Sequence, residues 1–255
     1  IPCCLSIIEN IIIEEGIKEP EYKTGFDRNF WVWEKYQPGT TYLLSADVAR
    51  GDGKDYSSFH IFKIETMEIV GEYQGKATPD LFANMINEVG KEYGNCMVVV
   101  ENNTVGWTVL DKLQEFAYPN IFYSYKSSHE YVDPLVGERS NSAVMGFSMT
   151  SKTRPLVIAK LEEFIRNKLV TIYSVRTYNE MKTFIWHNSR PQAMRGYNDD
   201  LVMAFAIGCW VKDIAFEVNQ RDMEYKKAFL NCMRKSDTII NTKIAGQHGY
   251  EPLAK

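Results

Sequence analysis

Apolar and polar positions fall in blocks along this chain, and the blocks predict strands and helices in alternation. Tyr42-Leu43-Leu44-Ser45-Ala46-Asp47 reads as a buried strand ending in a carboxylate, followed by the polar, glycine-rich turn Arg50-Gly51-Asp52-Gly53-Lys54-Asp55. Ser58–Ile64 and Glu68–Tyr73 predict two further strands, completing a three-strand meander. Asp80–Tyr93 has helical periodicity, with Leu81, Phe82, Met85, Ile86 and Val89 on one face. Cys96–Glu101 is nearly continuous apolar sequence, hence a fourth strand, and it too ends in a carboxylate. Helix Val105–Phe116, strand Asn120–Tyr125 and a polar loop to about Ser142 follow.

Further on, Thr153–Lys168 predicts a helix with Leu156, Ile158, Leu161 and Ile165 as its core side. Leu169–Tyr173 predicts a short strand, Val175–Trp186 a helix, His187–Tyr197 a loop and Asp199–Lys212 a last core helix. Ahead of Thr41 the pattern is weaker: a helix over Ile7–Ile13, a loop at Pro20–Gly25, then the aromatic cluster Phe30, Trp31, Trp33 and Tyr36 before the turn Pro38-Gly39. The order β-β-β-α-β-α-β with further helices is an α/β architecture, a mixed sheet flanked by helices. The expected organisation is a leading entry or linker segment over 1–38 packed on the main domain, a main domain over 39–215, and a C-terminal tail over 216–255. That tail has an amphipathic stretch to about Arg234 and little periodicity beyond it.

Composition adds bounds. The 255 residues are 45% hydrophobic and 24% charged, which excludes a disordered or collagen-like chain. The longest apolar run, Leu201 to Val211, is too short to cross a bilayer, so no membrane partner is expected. Cys3, Cys4, Cys96, Cys209 and Cys232 form no CxxC pair and no zinc-like spacing, which points to free thiols in a reducing compartment. The first residue is Ile rather than Met, which suits a segment of a longer protein, and the acidic opening does not resemble a secretory signal. The net charge of −4 hides an asymmetry, because Lys126 to Arg195 holds eleven basic and six acidic residues. A basic stretch beside an acidic remainder suits a phosphate-facing surface, although such charges also simply solvate helices and loops.

The candidate chemistry lies in carboxylates at element ends: Asp47, Glu101 and the pair Asp199-Asp200. Each has a structural use on its own, since Asp47 could cap the following turn and Asp199 or Asp200 could stabilise a helix N-terminus. Together they say more. If the first and fourth strands are neighbours, Asp47 and Glu101 stand side by side, and the start of the last helix can bring a third carboxylate to them. Such a cluster repels itself by several kcal/mol unless a cation intervenes. Oxygen donors without His or Cys select Mg²⁺ or Mn²⁺, and two such ions can hold the attacking water and leaving oxygen of a phosphodiester displacement.

Three strings carry a resemblance: ADVARGDGKDYS around Asp47, VVVENN from Val98 to Asn103 followed by Gly106, and GYNDDLVMA from Gly196 to Ala204. In order and separation they resemble the nuclease domain of the large terminase subunit of tailed phages, above all its T-even-like myovirus branch, from about Phe30 to Val211. The resemblance implies a ribonuclease H-like fold and a metal-dependent endonuclease that cuts concatemeric double-stranded viral DNA during packaging. It implies Asp47, Glu101 and Asp200 as the catalytic, metal-binding triad, with Asp199 an alternative or additional ligand. Asp55 then supports the site, and Gly51 and Gly53 let the backbone turn beside the metals. Implied partners are an ATPase domain in the same full-length chain, the portal and the small terminase subunit. The implied place is the host cytoplasm, transiently at the procapsid portal. The family's ATPase loop, GxxxxGK[ST], has no counterpart here, so this chain is not expected to hydrolyse ATP.

Arg139, Lys152, Arg154 and Arg190 are the candidate DNA-phosphate contacts, and no base-reading motif is visible, so cutting should be largely sequence-independent. His129 and His187 are expected to be structural or surface residues; Trp107, Trp31 and Trp33 are expected in the core. Two rivals stay open: a DNA-gripping and portal-docking module with negligible nuclease activity in isolation, and a junction-resolving nuclease of the same fold.

Overall fold

The computed structural model describes residues 13–25, 28–125, 143–188 and 190–212. Arg139, His129, most of Ile7–Ile13 and the tail from Phe216 lie outside these.

Strands β1 (Tyr22–Thr24), β2 (Phe30–Val32), β3 (Tyr42–Asp47), β4 (Ser57–Lys63), β5 (Glu68–Gly75) and β6 (Met97–Val100) form one sheet in the order β1-β2-β5-β4-β3-β6. The meander β3-β4-β5 is antiparallel, whereas β6 runs parallel to β3 after the crossover helix α1 (Pro79–Glu92). Helix α2 (Gly106–Glu115) follows β6, and two short strands, β7 (Tyr123–Tyr125) and β8 (Ala143–Met145), pair with each other. Helices α3 (Thr153–Arg166) and α4 (Val175–Thr183), the hairpin β9 (Phe184–His187) and β10 (Arg190–Ala193), and helix α5 over 200–212 complete the described chain.

Strand alternation sorts the core onto the two faces of the sheet. Leu44, Ala46, Phe59, Ile61, Val98 and Val100 meet Phe82, Ile86, Val109 and Leu110 of α1 and α2. On the other face, Leu43, Phe62, Ile69 and Val99 meet Ile158 and Leu161 of α3, Met181 of α4 and Val202, Phe205 and Ile207 of α5. The result is three layers, with α5 laid along the sheet so that its first turn arrives where β3 and β6 end. Cys96 and Cys209 are buried free thiols. Among the described residues no helix is long and apolar enough to cross a membrane.

Four expectations are corrected. The sheet does not begin at residue 39: β1 and β2, within the expected linker, pair onto β5, and Phe30 and Val32 are buried there. Phe184-Ile185-Trp186, β-branched and aromatic, does not extend α4 but forms β9, and the predicted loop after it supplies β10; Asn188 makes the reversal at φ 49°. In Leu169–Tyr173 only Thr171 makes a β-bridge, to Glu68. Leu81 and Leu156, placed on core faces by periodicity, are 57% and 46% exposed.

Candidate active site

Parallel register does the first part of the assembly. Ala46 of β3 pairs with Val100 of β6, and the Glu101 amide donates to the Ala46 carbonyl at 3.0 Å. The next residue of each strand is then a carboxylate, and Asp47 and Glu101 hydrogen-bond through their side chains. Burial pushes the Asp47 carboxyl far above the usual carboxylate range, and Glu101 and Asp200 push it further. Burial also raises Glu101. Both members of the pair are thus shifted the same way, toward the neutral form, with burial the first cause for each.

Helix α5 brings the other two carboxylates. Asp199 is its N-cap, accepting from the Met203 amide at 2.8 Å through its backbone carbonyl. Asp200 is only 8% exposed, and its Oδ2 accepts from the Tyr56 amide at 3.0 Å and from Asn198 Nδ2 at 3.2 Å. Burial nonetheless raises it to about 6, with Asp199 and Asp55 contributing. The Asp199 carboxylate pairs with Arg154, whose Nε donates to the Pro191 carbonyl at 2.9 Å. Asp47, Asp55, Glu101, Asn103, Arg154, Asp199 and Asp200 all line one open cavity of about 460 Å³. Five of these seven are carboxylates.

The sheet also holds α5 by polar contacts with its carbonyls. Ser58 Oγ donates to the Asp200 carbonyl at 2.8 Å and Ser45 Oγ to the Ala204 carbonyl at 2.7 Å, while His60 Nε2 lies 3.0 Å from the Leu201 carbonyl. The His60 ring is buried and its pKa is lowered by that burial. The contact therefore assigns Nε2–H as donor, with the ring neutral.

Sequence reasoning missed the residues that orient these groups. Asn103 Nδ2 donates to Glu101 Oε1 and to the Met149 carbonyl, fixing the carboxylate from the side. Asn102 is buried and clasps the β8 region, donating to the Met145 carbonyl at 2.7 Å and accepting from Ser148. Both lie inside the VVVENN string, so adjacency to Glu101 was the available signal. Glu180 of α4 accepts from the Leu201 and Val202 amides, and nothing local in the sequence marks it.

The other candidates fall as follows. Lys152 precedes α3, and Arg190 is exposed at the start of β10; neither lines the cavity. Gly51 has φ +84°, and a Cβ there would sit 2.8 Å from the Ala77 carbonyl oxygen, so glycine is required. Gly53 has open space around it and an ordinary φ. His187 is exposed in β9. Trp33 is buried, but Trp107, expected in the core, is 39% exposed on the first turn of α2, where the helix turns its Val109 and Leu110 face inward instead.

The donor chemistry fits a hard divalent cation: oxygen ligands only, two of them side by side under burial that disfavours their charge, around a cavity open to solvent. Among the described residues no three such side chains yet ring one point closely enough to hold an ion.

No protein-family profile matches the sequence. Solved structures do match the fold. The large terminase nuclease of the thermophilic phage G20c superposes with a TM-score of 0.60 at 19% identity, over 81% of this chain and 96% of that one. The same nuclease with bound cobalt gives 0.59 at 18% identity, over 79% and 95%. The Thermus phage P74-26 large terminase nuclease domain gives 0.56 at 18%, over 78% and 92%. This chain has the phage large terminase nuclease fold. That fold is ribonuclease H-like, as the resemblance carried by the three sequence strings implies, and the match spans 92–96% of each of these nuclease domains.

Proposed function

We propose that this chain is the nuclease domain of a phage large terminase, a divalent-metal-dependent endonuclease that cuts concatemeric double-stranded DNA in genome packaging, largely without sequence preference. The observation that carries the reading is the hydrogen-bonded Asp47–Glu101 pair at the ends of adjacent parallel strands, with Asp200 of α5 on the same cavity. The fold supports it, and the G20c nuclease with this fold was solved with bound cobalt and with bound magnesium.

Asp47, Glu101 and Asp200 are the proposed ligands. Asp199, paired with Arg154, is an additional ligand rather than the principal one, and Asp55, which lines the same cavity from the glycine-rich turn, is the proposed supporting carboxylate. Mg²⁺ or Mn²⁺ bound there, as one ion or two, would activate water and neutralise charge on the scissile phosphate and departing 3′ oxygen. A cation held there would favour the ionised form of Asp47, against the burial that raises it. The Tyr56 amide and Asn198 keep Asp200 aimed, and Asn103 keeps Glu101 aimed. Lys152 and Arg190, with Arg139, are the proposed phosphate contacts; Arg154 reaches a phosphate only by leaving Asp199. In the full protein the partners are the ATPase domain, portal and small subunit, at the procapsid in the host cytoplasm.

The test is cleavage of supercoiled plasmid in Mg²⁺, Mn²⁺ and EDTA, beside Asp47→Asn and Asp200→Asn. Nicking and linearisation in metal, reduced at least about 10³-fold in both variants, is expected. Cleavage surviving both substitutions refutes the site. DNA binding without cleavage in either metal favours the gripping module.

A further inference from the structure

An aspartate at a helix N-cap ordinarily turns its own carboxylate onto the amides two and three residues on, which otherwise lack partners. In α5 those are Leu201 and Val202, and Asp199 holds neither. Glu180 does: its Oε2 accepts from the Leu201 amide at 2.9 Å and from the Val202 amide at 3.3 Å. Asp199, relieved of capping, points its carboxylate at Arg154 and the cavity.

Glu180 is delivered to this position by a second polar assembly. Glu72 of β5 is fully buried and accepts from Ser174 Oγ at 2.7 Å, from Arg176 Nε at 2.7 Å and from Thr177 Oγ1, which fastens the first turn of α4 to the sheet. Two residues along the same strand face, Gln74 Nε2 donates to Glu180 Oε1 at 2.6 Å. One oxygen of Glu180 is thus held by β5 while the other caps α5. An acceptor oxygen at that helix end satisfies amides the helix itself leaves without partners, so the arrangement keeps its cap while freeing the residue that would normally provide it.

We infer that Glu180 is a positioning residue: it caps α5 in place of Asp199 and so keeps the Asp199 carboxylate in the cavity. Its consequence for metal binding rests on the nuclease reading above; the exchange of caps does not. Without Glu180, the freed amides of Leu201 and Val202 draw Asp199 back onto its own helix and away from the cavity.

Two readouts on the whole chain test this. The first is a thermal-unfolding cycle in EDTA with Glu180→Ala, Asp199→Ala and the double variant. Glu180→Ala should lower Tm by less than about 2 °C because Asp199 takes over, and the double variant should fall about 2–4 °C below the sum of the singles. The second is calorimetric titration with Mn²⁺. Glu180→Ala should weaken binding about tenfold or more, and Glu180→Gln, which keeps an acceptor oxygen, should restore it to within about threefold of wild type. An additive cycle, a Glu180→Ala chain that does not fold, or Mn²⁺ affinity within about threefold of wild type in that variant overturns the inference. If wild type binds no Mn²⁺, the metal reading fails and the unfolding cycle alone decides the exchange of caps.

Discussion

At the scale of single residues, the site depends on backbone approaches that leave no room for a side chain. A Cβ on Gly106 would overlap the Glu101 carbonyl oxygen, so the start of α2 packs directly on the strand end that presents the carboxylate. Gly106→Ala should lower the unfolding free energy by about 3 kcal/mol or more, and Gly53→Ala, with open space around it, should stay within about 0.5 kcal/mol; urea unfolding of both measures the contrast. The four carboxylates stood out in the sequence because each ends or begins an apolar run, whereas Gly106 entered only through the family resemblance. Which of Asp199 and Asp200 points inward was not, since both sit at one helix start and the answer lies in partners far away in sequence, Tyr56, Arg154 and Glu180.

At the scale of elements, the buried strands were legible for a physical reason: β3 and β6 are covered on both faces, and continuous apolar runs admit few other readings. Where the chain is half-covered, the reading slipped. Helix periodicity ran α4 into β9 because Phe184 and Ile185 are buried in either assignment, and only pairing with Pro191–Ala193 decides between them. The edge strands β1 and β2 were hidden because three-residue strands carry almost no periodic signal. The Glu72 assembly gives this scale its own prediction. Glu72→Ala removes the buried acceptor of Ser174, Arg176 and Thr177 and should cost about 3–5 kcal/mol. Hydrogen exchange should show the loss concentrated in α4 and in the first turn of α5, which α4 caps.

At the scale of the whole molecule, the cavity makes stability depend on pH and on metal together. Burial raises Glu180 to about 8 and Asp47 well above its ordinary range, so the folded state holds protons that the unfolded chain has already released. Such groups stabilise fully below the unfolded carboxylate range, and that stability is lost as pH rises through the folded values. His60, lowered by burial, acts in the opposite sense, but only below its ordinary value of about 6.5. In EDTA, Tm should therefore fall by about 4 °C between about pH 6.5 and 8.5, and saturating Mg²⁺ should reduce the fall by holding the cavity carboxylates ionised. The central claim is that these carboxylates await a cation, and it is tested most directly by Mn²⁺ titration at about pH 6.5 in two buffers of different ionisation enthalpy. The account predicts binding that releases protons and is abolished in Asp47→Asn. Absence of binding, binding unchanged in that variant, or binding with no proton released would contradict it.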